Sequence, residues 1–217
     1  MSNHEFSHCG GLILCGGKSR RMGRPKLLLP FGQETLLQRI IDILQSVVSP
    51  VTVVAAREQS LPELPAEIRI ARDDLHDYGP LGGLFTGLKS AQDSSDIVFV
   101  SACDAPLLKP EFIRALLRKC NHHDVVICQD RDYFYPLAAV YRTSVWTHID
   151  RLIQSGQRRP IALLEHVNTC VVSMTELQAI DPKLDSLRNT NTPEDYRAAL
   201  RAAGLPAPPC ADEADAN

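Results

Sequence analysis

Up to about residue 128, short apolar runs alternate with stretches of helical periodicity, and this alternation limits the folds open to the chain. Buried strands are predicted at 11–15, 51–56, 68–71 and 97–102. Helical spacing of apolar residues appears at 34–48, 79–91 and 110–119. Strands that alternate with helices form parallel sheets with crossover helices on both faces. We therefore predict an α/β fold, a three-layer α/β/α sandwich with a mostly parallel central sheet.

The second half of the chain is less regular. It contains a strand pattern at 135–141, a helical pattern at 143–154, a basic turn at 156–159 and a final helix at 193–203. Thr192 is the expected N-cap of that helix, because Pro193 suits the first helical turn. We expect a single domain over residues 8–203. The tail at 204–217 is rich in proline, alanine and acidic residues, and we expect it to be disordered.

Composition excludes several classes of protein. A net charge of −3 lacks the overall positive charge that is typical of nucleic-acid-binding proteins. No apolar run approaches the roughly 20 residues that a membrane-spanning helix needs. Residues 1–10 are polar and unlike a secretory signal, so we expect a cytoplasmic protein. The seven cysteines lack Cys-x-x-Cys spacing, which favours reduced thiols over a disulfide framework or a zinc site.

A glycine pair and a basic cluster directly follow the first predicted strand. Gly16 and Gly17 would let backbone N–H groups approach an anion that a Cβ atom would hold off. The basic residues of the loop are Lys18, Arg20, Arg21, Arg24 and Lys26. Cationic side chains at this density suit the phosphates of a nucleoside triphosphate. The loop is neither a Walker A motif nor a dinucleotide-binding fingerprint.

Two further segments follow strands and carry groups suited to a nucleotide and its metal. Asp73 begins a segment that continues to Gly82 and Gly83, where small residues would let a base or ribose lie against the backbone. A turn before a helix explains these glycines equally well. Asp104 follows the strand at 97–102, and a carboxylate there is a hard oxygen ligand for Mg²⁺. Because parallel sheets bind ligands beyond the carboxyl ends of their strands, we expect the loop and both segments to meet at one edge.

These motifs resemble the signature of the molybdenum cofactor guanylyltransferases, a family of nucleotidyltransferases. The family's Leu-Ala-Gly-Gly, Arg-Met-Gly and terminal lysine correspond to Leu14-Cys15-Gly16-Gly17, Arg21-Met22-Gly23 and Lys26, with Cys15 in place of alanine. Its acidic residue before Gly-Pro-Leu-Gly-Gly and its Cys-Asp-x-Pro motif correspond to Asp73 with 79–83 and to 103–106. The resemblance runs from about residue 11 to 200. It implies a nucleotide-diphospho-sugar-transferase-like fold.

The resemblance also implies a role for each matched residue. Asp104 would hold the catalytic Mg²⁺, while Lys26 and Arg21 would neutralise charge on the triphosphate. Besides Lys26 and Asp104, the implied nucleotide-binding residues are Leu14, Cys15, Gly16, Gly17, Asp73 and Gly82. The implied acceptor-side residues are Asn189, Asn191, Arg158 and Arg159, although an Asx cap before the last helix explains Asn191 nearly as well. The family often ends its second strand with an asparagine that contacts the nucleotide, which this chain lacks over 54–57.

The implied reaction transfers GMP from GTP to the terminal phosphate of the molybdopterin-bound molybdenum cofactor, giving molybdopterin guanine dinucleotide and pyrophosphate. The chain has no Ser-His-Asp set and no paired-carboxylate signature, and a phosphate acceptor needs no strong general base. Three alternatives remain: a cytidylyltransferase that uses CTP on the same pterin, a sugar-phosphate nucleotidyltransferase, and a non-catalytic GTP-binding protein that delivers the cofactor. Molybdoenzyme apo-proteins or their chaperones would be the protein partners.

Overall fold

The computed structural model describes residues 6, 8–16 and 25–207, and a seven-stranded sheet lies at its centre. Its strands are β1 (Cys9–Leu14), β4 (Val51–Ala56), β5 (Arg69–Asp73), β6 (Ile97–Ala102), β7 (Val125–Asp130), β8 (Tyr133–Arg142) and β9 (Thr169–Ser173). They lie in the order β5-β4-β1-β6-β8-β7-β9. Neighbours are parallel except beside β8, which runs antiparallel to β6 and β7. The predicted mostly parallel sheet is confirmed.

Helices cover both faces of this sheet. One face carries α1 (Leu36–Gln45), α3 (Pro110–Arg118) and α5 (Met174–Gln178), and the other carries α2 (Pro80–Ala91) and α4 (Trp146–Gln154). A small hairpin of β2 (Pro30–Phe31) and β3 (Glu34–Thr35) precedes α1, and α6 (Pro193–Ala202) follows the sheet. Among the described residues, no helix combines the length and the apolar character that crossing a membrane requires. The three-layer prediction is therefore confirmed.

The first strand explains why the sequence there reads as an unbroken apolar run. Ile13 and Cys15 pack into the core under α1 and α3, whereas Leu12 and Leu14 pack into the core under α2 and α4. A strand between two helical layers buries side chains on both of its faces, so it shows no alternation of apolar and polar residues. The strand ends at the edge of the sheet, just before Gly16.

Two predicted helices begin later than expected, for local reasons. The pattern at 34–48 yields a helix only from Leu36, because Thr35 closes the β2–β3 hairpin and caps the helix through a hydrogen bond from the Gln38 amide (3.2 Å). The first three residues of the pattern at 143–154 form a 3₁₀ turn before α4. At the start of α6, Thr192 accepts a hydrogen bond from the Asp195 amide (3.1 Å), which confirms the predicted N-cap.

A third, smaller core joins the two ends of the domain. Tyr196 and Leu200 of α6 pack against Leu29, Phe31 and other residues that follow the basic loop, and the Tyr196 hydroxyl donates a hydrogen bond to the Pro30 carbonyl. The side chain at position 205, just after α6, also packs against this core. Residues 208–217 lie outside the described part of the chain. By holding α6, the third core positions the segment at 189–191, just before the helix, at the edge of the sheet.

Candidate active site

The carboxyl ends of β1, β4, β5 and β6 open into one cleft of about 1160 Å³. Eight of the predicted site residues line it: Leu14, Cys15, Gly16, Lys26, Asp73, Asp104, Asn189 and Asn191. The sequence therefore predicted correctly that the segment after β5, the segment after β6 and the described ends of the loop after β1, at Gly16 and Lys26, converge. Parallel strands end at the same edge of a sheet, and this geometry brings distant parts of the chain together.

Lys26 and Asp104 form an ion pair within this cleft. The Lys26 ammonium lies 2.7 Å from Oδ2 of Asp104, and the two side chains are only 18% and 12% exposed. The same ammonium donates a hydrogen bond to Oδ1 of Asn191 (2.8 Å). Asp104 is further tied to the segment before α6, because the Thr190 amide donates to its carbonyl oxygen (2.8 Å). Residues from the start, middle and end of the domain thus lie together around Lys26 and Asp104.

Asp73 lies at the opposite end of the cleft and is almost fully buried. Its Oδ1 accepts hydrogen bonds from the backbone amide of Leu75 (2.8 Å) and from the Thr86 hydroxyl on α2 (3.2 Å). These contacts close the turn after β5 and hold it against the helix. The carboxylate is therefore a structural anchor as well as a group in the cleft wall.

Gly82 differs from its predicted role, whereas its neighbour Gly83 lines the cleft. A Cβ atom at position 82 would lie 2.5 Å from the carbonyl oxygen of Leu75, so α2 and the turn after β5 pack together without a side chain between them. Glycine is required there by close backbone packing. By contrast, a Cβ atom at Gly16, which lines the cleft, would meet no atom of the described residues within 4 Å.

Gln59 is a cleft residue that the sequence analysis did not identify. Its side-chain amide donates to the Cys15 carbonyl (2.8 Å), and its side-chain oxygen accepts from the Ala56 amide (3.2 Å). Arg72 reinforces this turn by donating to the carbonyl oxygens of Ala56 (3.1 Å) and Gln59 (2.8 Å). Gln59 therefore connects the ends of β1 and β4, just after the stretch 54–57 that lacks an asparagine. Because Gln59 contacts backbone atoms, which every residue carries, its role requires no particular partner residue types. The one signal in the sequence is that a glutamine follows three residues after the end of a predicted strand.

The two cysteines of the cleft, Cys15 and Cys103, are in contact with each other. A hydrogen bond with the Cys15 thiol, reinforced by burial, raises the pKa of the Cys103 thiol well above its usual range. A thiol with such a pKa stays protonated and is a poor nucleophile. All six cysteines within the described residues are free. Cys15 and Cys103 thus serve the cleft as small wall residues, and Cys103 is uncharged.

The remaining predicted residues fall into two groups. Arg158 stacks its guanidinium group over the Tyr78 ring at 5.9 Å, and neither Arg158 nor Arg159 belongs to the described residues that line the cleft. The basic turn therefore reaches the segment after β5 but not the cleft itself. Gly17 and Arg21 lie outside the described residues, as do the other basic residues between 18 and 24.

The chemistry of these groups fits a magnesium ion. Asp104 and Asn191 supply hard oxygen atoms that already share one cation, the Lys26 ammonium. Within ranges 8–16 and 25–207, no three His, Cys, Asp or Glu side chains gather into a metal cage. Mg²⁺ is usually held by only one or two carboxylates, with waters and substrate phosphates completing its shell. A single carboxylate at the edge of an open cleft is an arrangement of that kind.

Comparisons with known proteins agree with this geometry. Residues 11–170 match the family model described as the MobA-like NTP transferase domain. A protein of Mycobacterium avium named "Probable molybdenum cofactor guanylyltransferase" is 38% identical over 197 residues, which span 88% of this chain and 95% of the relative. A protein of the same name from Mycobacterium ulcerans is 36% identical over 196 residues, covering 88% and 92% of the two chains.

Solved structures share the fold. The molybdopterin-guanine dinucleotide biosynthesis protein A from Archaeoglobus fulgidus matches 90% of this chain and 98% of its own with a TM-score of 0.75, at 24% identity. The 4-diphosphocytidyl-2C-methyl-D-erythritol synthase from Anaerococcus prevotii matches 93% and 98% with a TM-score of 0.67, at 13% identity. At these identities the likeness concerns the fold alone, which is that of the nucleotide-diphospho-sugar transferases.

Proposed function

The chain belongs to the MobA-like NTP transferase family and is a nucleotidyltransferase, and from this premise we propose that it transfers GMP from GTP to the molybdenum cofactor. The acceptor is the terminal phosphate of molybdopterin, and the products are molybdopterin guanine dinucleotide and pyrophosphate. The reaction takes place in the cytoplasm with Mg²⁺ as its metal. Molybdoenzyme apo-proteins or their chaperones receive the product.

The contact between Lys26 and Asp104 carries this proposal. Nucleotidyl transfer develops negative charge on a leaving pyrophosphate, and it needs a cationic side chain and a metal-binding carboxylate at the same place. Lys26 and Asp104 lie 2.7 Å apart at the edge of the cleft. A protein that only bound GTP and handed on a cofactor would have no use for that pairing.

The chemistry proceeds without a strong base. The second pKa of a phosphate monoester is near 6, so the acceptor is largely dianionic at neutral pH. One of its oxygens attacks the α-phosphorus of GTP, and the bond from that phosphorus to the oxygen of pyrophosphate breaks. Lys26 balances charge on the departing group, and the acceptor contacts Asn189 and Asn191, a role that their position in the cleft lining supports. Asp104 would hold Mg²⁺, which would supply further neutralisation of the phosphates.

The nucleoside occupies the other end of the cleft, near Asp73 and the ends of β4 and β5. Besides Asp73, the residues that line the cleft include Glu58, which lies on the turn that Gln59 and Arg72 hold. Guanine presents two adjacent donors, N1–H and N2–H₂, which suit a carboxylate acceptor. A site that pairs such donors rejects a base that lacks them by about 1–3 kcal/mol per group.

Pyrophosphate release tests the proposal. The purified protein is supplied with Mg²⁺ and GTP, CTP, ATP, UTP or ITP, with and without molybdenum cofactor or a set of sugar phosphates. We expect release from GTP only when the pterin is present, and weaker release from ITP, which lacks N2. Preference for CTP would instead support cytidylyl transfer, and release with a sugar phosphate would support the sugar-nucleotide alternative. No release with any acceptor, despite GTP binding, would support the delivery protein.

Nucleotide binding gives a second measurement of base preference. A ligand at 100 times its dissociation constant stabilises a fold by about 2.7 kcal/mol, so thermal shifts can rank the triphosphates. Gly16→Ala adds a methyl group at a cleft position where no atom of the described residues lies within 4 Å. It should weaken GTP more than CTP, because a purine needs more room against the backbone. Equal losses for both nucleotides would count against guanine at this position.

A further inference from the structure

Two tyrosines lie near the tip of the hairpin that β7 and β8 form. Because β8 runs antiparallel to β6, it begins beside the end of β6, at the edge of the sheet where the cleft opens. Tyr133, its first residue, is 64% exposed, the highest value for a large apolar or aromatic residue in the described part of the chain. Its ring contacts the ring of Tyr135 edge to face, with the centroids 4.8 Å apart. An aromatic ring is therefore held open to solvent at the rim of the proposed active site.

Hydrogen bonds within the hairpin stabilise this tip. The side-chain amide of Gln129 donates to the Arg131 carbonyl in the turn (2.7 Å). The pairing of β7 with β8 then shifts register, and in the resulting bulge the Tyr141 hydroxyl donates to the Pro136 carbonyl (2.8 Å). A bulge redirects the side chains of its strand and is common beside active sites. The direction of the Tyr133 side chain is thus set by the hairpin.

The hairpin adjoins the part of the cleft assigned to the acceptor. Leu137 of β8 lines the cleft, and the chain spans at most about 14 Å over the four residues from there back to Tyr133. Tyr135 packs in the same core as Leu187, and Asn189, two residues further along the chain, lines the cleft. An acceptor phosphate bound at Asn189 therefore leaves the rest of the acceptor within reach of Tyr133.

The chemistry of an exposed tyrosine ring suits the rest of that acceptor. Molybdopterin carries flat heteroaromatic pterin rings as well as its phosphate, and flat rings bind by stacking on aromatic side chains. The edge-to-face contact with Tyr135 covers at most one face of the Tyr133 ring, so a face remains exposed for stacking. A sugar ring has no π-system and gains less from such a surface.

We propose that Tyr133 stacks on the pterin rings of the acceptor and thereby favours a pterin phosphate over a sugar phosphate. The inference rests on the proposed function, because it takes the pterin as the acceptor. Tyr135 is a positioning residue, since it acts by holding the Tyr133 ring. The nucleoside is assigned to the other end of the cleft, near Asp73, so Tyr133 affects the affinity for the acceptor and not for GTP.

Steady-state kinetics with each substrate varied in turn tests the proposal. Tyr133→Ala should raise KM for the molybdenum cofactor about tenfold, the usual effect of losing one stacked ring, and leave KM for GTP unchanged. Tyr133→Phe keeps the ring and should match wild type, whereas Tyr133→Leu keeps only apolar bulk and should resemble Tyr133→Ala. The compound 6-hydroxymethylpterin has the rings without the phosphate. It should inhibit wild type in competition with the cofactor, and its inhibition constant should also rise about tenfold in Tyr133→Ala.

Val171→Ala is the control, because it shortens another exposed apolar side chain, 48% exposed on β9, and should leave every constant unchanged. Three results would overturn the stacking role: an unchanged KM for the cofactor in Tyr133→Ala, an equal rise in KM for GTP, or an unchanged inhibition constant for 6-hydroxymethylpterin. Failure of the proposed function is a distinct result. Wild type would then form no product with the cofactor, and both proposals would fall, whereas an active wild type matched by Tyr133→Ala overturns the stacking role alone.

Discussion

Gly82 of α2 lies so close to Leu75 that a Cβ atom at position 82 would be 2.5 Å from the Leu75 carbonyl oxygen. The Leu75 amide in turn donates to the carboxylate of Asp73. We expect Gly82→Ala to push the turn away from the helix, lowering the free energy of unfolding by about 1–3 kcal/mol, as overpacking generally does. Because Asp73 moves with the turn, nucleotide affinity should fall as well. Urea denaturation and nucleotide titration measure the two effects.

The adjacent glycine provides the matched control. A Cβ atom at Gly83 would meet its nearest neighbour, a Leu14 methyl group, at 3.4 Å, which is ordinary contact. Replacing a helical glycine by alanine gains up to about 1 kcal/mol when space allows. Gly83→Ala should therefore be as stable as wild type or more so. If both variants lost the same free energy of unfolding, the loss would come from the helix itself and not from the contact with Leu75.

Loss of the Gln59 side chain should weaken nucleotide binding more than it slows the reaction. Gln59→Ala removes the hydrogen bonds to Cys15 and Ala56, so the strand ends beside the nucleoside lose their common support. We expect KM for the triphosphate to rise about tenfold, equivalent to the roughly 1.4 kcal/mol of one or two net hydrogen bonds, with a smaller change in kcat. Steady-state kinetics separates the two constants.

Two variants show whether the effect comes from these contacts. Gln59→Glu keeps an acceptor for the Ala56 amide but loses the donor to Cys15, so its KM should lie between those of wild type and Gln59→Ala. Gln154 on α4 makes its side-chain contact with Asp150, far along the chain from the cleft. Gln154→Ala should have wild-type kinetics. A fall in kcat with unchanged KM for Gln59→Ala would contradict a positioning role.

Asp104→Asn should remove turnover and leave the protein folded. The substitution keeps the size of the side chain and the Thr190 contact, which is made to the backbone carbonyl. It removes the negative charge on which the metal and Lys26 depend. We expect kcat to fall by about 100-fold or more, the usual effect of losing one electrostatic group from a phosphoryl-transfer site. Pyrophosphate release gives the rate and a thermal melt gives the fold; full activity in a folded variant would refute the assignment.

Asp181 supports the fold away from the cleft, and its contribution should depend on pH. Its buried carboxylate accepts from Lys109 Nζ (2.6 Å) and from the Ser186 amide (2.8 Å). Burial alone would raise the pKa of Asp181, but the hydrogen bonds from Lys109 and Ser186 outweigh it and hold this pKa below its usual value. We expect Asp181→Asn to lower the free energy of unfolding by about 1–3 kcal/mol at pH 7.

The sign of the pH effect follows from the lowered pKa. Stabilisation by the ionised carboxylate is complete above the unfolded pKa of about 3.9 and disappears as the pH falls through the lower folded value. The difference between wild type and Asp181→Asn should therefore be constant near neutral pH and shrink below about pH 4. Glu176→Gln, at the exposed pair with Lys119, should cost less than about 1 kcal/mol. A difference that grows in acid would refute this account.

The sequence predicted the position of the cleft well, because that position depends on strand polarity. Once β1, β4, β5 and β6 are parallel, the groups after them must meet, and Asp104 and Lys26 do so. The position of β8 was not predicted, since its insertion between β6 and β7 is decided by packing between distant segments. The short strand β9 was also missed. Its edge position leaves Val171 exposed, so the run lacks a buried pattern.

Side-chain roles were harder to predict than the position of the cleft. Gly82 belongs to a recognisable motif, but the motif does not reveal that the glycine faces Leu75 and not the ligand. Gln59 acts on backbone carbonyl and amide groups, which every residue carries. No spacing of residue types distinguishes such a glutamine from a solvated one in a loop.

The contacts of α6 and of the segment before it determine when, during synthesis of the chain, the site can be completed. Asn191 must reach Lys26, and Tyr196 must pack behind Pro30, before the cleft has its full wall. A ribosome that has translated past Asp104 has already made the strand ends, Lys26 and Asp104, but it has not yet made the segment that brings Asn191 to them. The nascent protein therefore cannot assemble its complete site until α6 emerges, and a chain truncated before residue 191 would present an open, incomplete cleft to the triphosphates of the cell.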